Sequence, residues 1–139
     1  QHDALTLQPC SARNYEMPSL CSAESAGLLG FLMELPAPDS NVVAAVRGAA
    51  AWFEKTPIRD VAFRQVGNEG RTLVAAPGSA PLWARFYEIG SDRPIFGDRD
   101  KTICDDVNDI SRERRDGYAW FTDNGNGVLR RFEKWNASR

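Results

Sequence analysis

Residues 22–57, SAESAGLLGFLMELPAPDSNVVAAVRGAAAWFEKTP, decide the fold. Leu28, Phe31, Leu32 and Leu35 recur at the spacing that lines one face of a helix. Ser22 has the short polar side chain of an N-cap, and Glu24 puts negative charge where the helix dipole favours it. Pro36 cannot continue the hydrogen-bond ladder and ends that helix. Asp39 and Ser40 offer a second cap, Val42, Val46, Ala49, Ala50 and Phe53 form a second stripe, and Pro57 stops it. Two helices joined by a few residues make an αα-hairpin.

Outward from this hairpin the pattern is less regular. Residues 1–21 show no period and carry Pro9 and Pro18, which predicts an ordered loop. Gly67, Gly70, Pro77 and Gly78 mark turns around extended pieces at 61–64 and 72–74. Residues 82–89 alternate, with Leu82, Ala84 and Phe86 on one face of a strand and Trp83, Arg85 and Tyr87 on the other. Gly90, Pro94 and Gly97 break up the loop that follows, and Ser111 caps a short helical turn closed by Gly117. Val128, Leu129, Phe132 and Trp135 define a last helix. With no repeat and no low-complexity linker, residues 1–139 are expected to form one domain, mainly α, of helix hairpins with short β-strands and long ordered loops.

The 139 residues are 42% hydrophobic and 26% charged, enough for a modest core. A net charge of -2 argues against a general nucleic-acid or membrane partner, and no run is long enough to span a bilayer. Gln1 opens directly in polar sequence, so no signal peptide is expected. The three cysteines, Cys10, Cys21 and Cys104, do not follow a metal spacing. Cys10 and Cys21 either bridge across the loop between them or remain free thiols.

Arginines cluster after residue 84 among aromatics and turn residues, a combination suited to an acidic ligand. A guanidinium binds a planar carboxylate through two parallel hydrogen bonds. Arg85, between Trp83 and Tyr87, is read either as a carboxylate grip beside sugar-stacking rings or as an exposed cation–π contact. Lys101 shares a face with Arg99 or pairs with Asp98 or Asp100, and Tyr118 closes a groove or packs in the core. Arg112, Arg114 and Arg115 read as a solvated charge run.

Long segments resemble a known family. QHDALTLQP (1–9), SARNYEMPSL (11–20), SAESAGLLGFLMELP (22–36), AAAWFEKTPI (49–58), PLWARFYEIGSDRPIFGDRDKTI (81–103), ISRERRDGYAWF (110–121) and RFEKW (131–135) are similar to polysaccharide lyase family 10 pectate lyases. The match corresponds to the C-terminal half of that family's catalytic domain, with the calcium-binding segment of the other half outside it. The resemblance implies a secreted, extracellular enzyme that cleaves polygalacturonate or pectin by β-elimination, on part of an (α/α)3 toroid. It implies Arg13, in SARNYE, as the catalytic base, and Arg85, Arg99, Lys101, Trp83 and Tyr118 as substrate-binding residues. Calcium is implied as a Lewis acid bridging the substrate, with no metal ligand expected from this chain. A homodimer, or the other half of the family domain, is expected to cover the apolar face that half a toroid leaves open. A binding remnant without turnover, or a piece of a longer lyase, is the alternative.

Other candidates are weaker. Asp98, Asp100, Asp105 and Asp106 do not follow an EF-hand loop. His2, the single histidine, reads as structural. Asn136-Ala137-Ser138 is a glycosylation sequon or simply a helix end.

Overall fold

The computed structural model describes residues 1–139. Eight strands accompany four α-helices, so the expected mainly α toroid gives way to an α+β arrangement. In chain order these are β1 (Leu20–Cys21), α1 (Ser22–Glu34), α2 (Ser40–Lys55), β2 (Val61–Gln65) and β3 (Arg71–Ala75). Then come β4 (Trp83–Ala84), β5 (Phe86–Tyr87), β6 (Pro94–Gly97), β7 (Ile103–Cys104), α3 (Arg112–Gly117), β8 (Phe121–Thr122) and α4 (Asn124–Ala137).

The expected helical hairpin is present. Asp39 accepts from the backbone N–H of Asn41 and Val42, both at 2.9 Å, and so satisfies donors that α2 leaves unpaired. Thr56 closes α2, its hydroxyl and N–H both donating to the Trp52 carbonyl. Ser22 does not cap α1: it is its first residue, is fully buried, and donates its hydroxyl to the Ala84 carbonyl at 2.6 Å. A tertiary partner has taken the side chain that local capping would use. No helix is long and apolar enough to cross a membrane.

All strand pairs are antiparallel. β2 and β3 form a hairpin in which Phe63 opposes Leu73. β1, β5, β6 and β7 make a four-stranded sheet in that order, and β4 pairs with β8. The single strand expected over 82–89 is therefore two, on different sheets, with Arg85 at the joint. The expected inward and outward faces collapse as well, because Trp83, Ala84, Phe86 and Tyr87 are all buried. The core gathers Leu29, Val46 and Phe53 from the helices against Trp83, Tyr87, Phe96 and Trp120. Two of its aromatic rings are tied at their polar ends: Trp83 Nε1 donates to the Phe53 carbonyl at 3.0 Å, and the Tyr87 hydroxyl to the Thr56 carbonyl at 2.8 Å.

Candidate functional site

Two tyrosines organise the arginines. Tyr15 lies in the loop before β1 and Tyr118 just after α3, and their rings meet edge to face at 5.2 Å. The Arg13 guanidinium lies over both, 5.3 Å from the Tyr15 centroid and 5.6 Å from that of Tyr118. Arg85 lies over Tyr118 at 5.1 Å, and Arg114 and Arg99 over Tyr15 at 4.4 Å and 6.0 Å. Aromatic faces attract cations, so the pair holds four guanidiniums together that would otherwise repel one another.

Backbone contacts fix each arginine. The Arg13 turn closes with Glu16 N–H donating to the Arg13 carbonyl at 2.8 Å. Asn14 ties that turn to the β6–β7 connection by donating its side-chain amide to the Arg99 carbonyl at 2.9 Å. Gly97 lets the two approach, since a Cβ there would sit 2.6 Å from the Tyr15 carbonyl oxygen. Arg85 donates its N–H to the Trp120 carbonyl and accepts from the N–H of Ser22.

Each arginine faces a glutamate. Arg13 meets Glu16 at 2.5 Å, Arg85 meets Glu24 at 2.5 Å, and Glu113 is shared by Arg99 at 2.8 Å and Arg114 at 2.9 Å. Hydrogen bonding from Arg13 holds the Glu16 carboxyl down at about 2, and Arg99 does the same for Glu113. The same bond to Glu16 pushes the Arg13 guanidinium further toward its protonated form. Tyr118 donates its hydroxyl to Glu16 at 2.6 Å, and burial, with that bond next, pushes the phenol up. Four arginines thus gather around two tyrosines against three glutamates, with Asp98 facing Arg99 and Arg114 and Lys101 alongside.

Three adjoining clefts follow this surface. One of about 290 Å³ is lined by Arg85, Phe86, Tyr118, Glu16 and the cysteines Cys10 and Cys21. A second, about 360 Å³, is lined by Arg13, Asn14, Tyr15 and Arg99, and a third, about 250 Å³, brings Lys101 to Arg13. The largest depression, about 450 Å³, lies elsewhere, between α1 and the start of α4. It has no aromatic lining, and its Arg131 is held by Glu34 and the Gly30 carbonyl.

The structure brings together Arg13, Arg85, Arg99, Lys101 and Tyr118, and it separates Trp83 from them. Trp83 is 1% exposed, with its ring against Phe53 and Gly125, so it has no face for a sugar. The solvated run over 112–115 is also corrected. Arg114 is 5% exposed on Tyr15, and Arg115 donates to the carbonyls of Asn108 and Glu69. Glu113 and Tyr15 were not singled out in the sequence. The nearest signal was Glu113 beside the arginines of α3. All three thiols are free, and Cys21, whose thiol bonds Glu24, is pushed up to about 11 by burial and then by that carboxylate.

No three histidine, cysteine, aspartate or glutamate side chains converge to hold a metal ion. Asp98 accepts from Ser111 and Arg99, Asp100 from Thr102, and Asp106 from Asn108.

The pectic acid lyase family model matches residues 1–129. The family 10 polysaccharide lyase from Cellvibrio cellulosa is similar in structure, with a TM-score of 0.88 and 36% identity over 98% of this chain. A point mutant of that lyase in complex with trigalacturonic acid matches with a TM-score of 0.86 and 36% identity over 96% of this chain. In both cases the chain spans 42% of the solved chain. No curated protein matches. By residues matched and by structure, the chain belongs to the pectic acid lyase family, polysaccharide lyase family 10.

Proposed function

We propose that this surface binds the carboxylates of an α-1,4-linked polygalacturonate chain and takes part in its cleavage by β-elimination. The supporting observation is the tyrosine-mounted cluster of Arg13, Arg85 and Arg99, with Lys101 alongside. Consecutive uronates carry planar carboxylates, and Glu24 and Glu113 sit on Arg85 and Arg99 as those carboxylates would. Binding is then an exchange of one carboxylate for another. A trigalacturonic acid complex of the similar Cellvibrio lyase supports the ligand class.

In the elimination the C5–H bond breaks and its proton goes to the base. The electron pair forms the C4–C5 double bond. The C4–O bond breaks, and the leaving oxygen takes a proton from water. Arg85, Arg99 and Lys101 grip carboxylates, which makes the C5 proton more acidic. Arg13 is the proposed base. It needs a neutral guanidinium, whereas Glu16 favours the charged one. Arg13 therefore acts only once the substrate has displaced Glu16 from it without putting a carboxylate in its place, so that the neighbouring cations favour the neutral form. Calcium is proposed to come bridged to the uronate chain, where as a Lewis acid it would help neutralise the carboxylate. The proposal includes action outside the cell, where pectin is found.

The Arg13–Glu16 pair also favours a second reading, polygalacturonate binding without turnover. Absorbance of the unsaturated uronate, measured with polygalacturonate and calcium, separates the two. A rise abolished by Arg13→Ala supports elimination. Retained binding with no rise leaves only the binding reading.

A further inference from the structure

Glu16 differs from the other two glutamates of the site. Its side chain is 13% exposed, against 60% for Glu24 and 57% for Glu113. Those two can swing into water when a uronate takes their arginines. Glu16 is pinned on both sides of its backbone. Its N–H donates to the Arg13 carbonyl at 2.8 Å, and its carbonyl accepts from the Ala12 N–H at 3.0 Å.

Three donors reach the Glu16 carboxylate, and only one of them is the Arg13 guanidinium. The Arg13 backbone N–H donates to Oε2 at 3.2 Å. The Tyr118 hydroxyl donates to Oε1 at 2.6 Å, the same oxygen that Arg13 Nη2 meets at 2.5 Å. Tyr118 cannot follow a moving carboxylate. Its ring packs edge to face on Tyr15 and Trp120, at 5.2 Å and 4.8 Å, and stacks on Phe86 at 6.2 Å. Arg13 is 63% exposed and leans on the Tyr15 and Tyr118 rings, a contact without fixed hydrogen-bond directions. The pair is one mobile arginine on one held carboxylate. A largely buried carboxylate that keeps two of its three donors stays where it is when the third leaves.

We propose that Glu16 is a fixed post on which Arg13 parks in the empty site, and that the Tyr118 hydroxyl holds the post back when Arg13 turns to the substrate. Both are positioning residues that act through Arg13. The inference rests on the elimination reading for what Arg13 does next, and stands apart from it for the parking itself. The pair parts because Arg13 slides along the two rings, while Glu16 keeps the hydroxyl and the Arg13 N–H. Without the hydroxyl, the Glu16 side chain turns after the guanidinium and keeps it charged.

Tyr118→Phe in the 139-residue chain keeps the ring and removes the hydroxyl. With polygalacturonate and calcium, its kcat for elimination should fall about tenfold, the worth of one hydrogen bond to a charged group. Adding Glu16→Gln should restore most of that loss, because a neutral amide does not hold a guanidinium. A hydroxyl with a merely structural role is not rescued by a change in its partner. An undiminished kcat in Tyr118→Phe, or no rescue, overturns the proposal. A second measurement needs no turnover. The Arg13 Nε–H, followed by ¹⁵N relaxation, should be ordered in the unsubstituted chain and drop to an order parameter below about 0.6 in Glu16→Gln. Equal order in both overturns the parking. Adding trigalacturonic acid should shift the Arg13 Nε–H signal in the unsubstituted chain and leave it in place in Tyr118→Phe; the same shift in both overturns the role of the hydroxyl. A chain without elimination in which Glu16→Gln still loosens Arg13 sinks the elimination reading and supports the post.

Discussion

Replacing Gly97 by alanine tests how the site loop is held. Gly97 ends β6, and an added Cβ would stand 2.6 Å from the Tyr15 carbonyl oxygen and 2.8 Å from its Cα. Both are backbone atoms, so no rotamer change relieves the contact. To reach the 3.4 Å of ordinary contact, the loop must retreat from 2.6 Å by about 0.8 Å. Overpacking of this kind costs about 1–3 kcal/mol, or roughly 4–10 °C in Tm for a domain of this size. The retreat also strains the Asn14 bond to the Arg99 carbonyl and shifts Arg13 relative to Arg99. Trigalacturonic acid binding should then weaken about tenfold or more, since sub-ångström placement matters in a site of several convergent contacts. Thermal denaturation and titration calorimetry measure the two effects. Gly127→Ala is the control: it lies in α4 with nothing within 4 Å, and should be neutral or stabilise by about 0.5–1 kcal/mol. A Gly97→Ala chain with unchanged Tm and unchanged binding would refute the idea that β6 positions Tyr15 and Arg13.

Further expectations follow from the same geometry. Glu16 has its pKa depressed to about 2, chiefly by the Arg13 hydrogen bond, so its stabilisation is full above the ordinary 4.5 and is lost as pH falls through about 2. Urea midpoints across that window should fall, and Glu16→Gln should flatten the fall; an equally steep fall in the variant would assign it to other groups. Arg99→Ala removes an exposed ion pair and should barely change Tm, yet weaken trigalacturonic acid binding roughly tenfold in calorimetry. Trp83→Ala empties a fully packed position and should cost about 3–5 kcal/mol in urea unfolding; a small cost would contradict its burial. Asp39→Ala should cost about 1 kcal/mol, read in the same way.

The helical hairpin was legible because its signals are local: Asp39 caps α2, and Pro36 and Pro57 punctuate it. The strands β2 and β3 were legible as extended pieces at 61–64 and 72–74, since five residues on each side let turn residues and extended runs stand out, but their pairing was not. The other sheets were not. Strands of two residues, such as β4 and β5, are shorter than any periodicity that separates strand from loop, and their partners lie far away in the chain. The same limit explains Trp83. Alternation placed it beside Arg85, but a change of sheet at Arg85 gives each side its own buried environment. Arg13, Arg85 and Arg99 were reached through motif resemblance. Arg114 was hidden because a burial partner such as Tyr15 is distant in the chain and leaves no mark in a run of charged residues.

The change of sheet at Arg85 also bears on how this chain can vary in length. One residue there serves two hydrogen-bonded ladders, donating its N–H to the Trp120 carbonyl and accepting at its carbonyl from the Ser22 N–H. Adding or deleting a residue at this joint would flip the side chains of one ladder relative to the other and turn Arg85 away from Tyr118. Lineages should therefore hold the spacing from Trp83 to Tyr87 fixed. Length changes should accumulate instead at the tip around Gly67, where an added side chain would meet nothing.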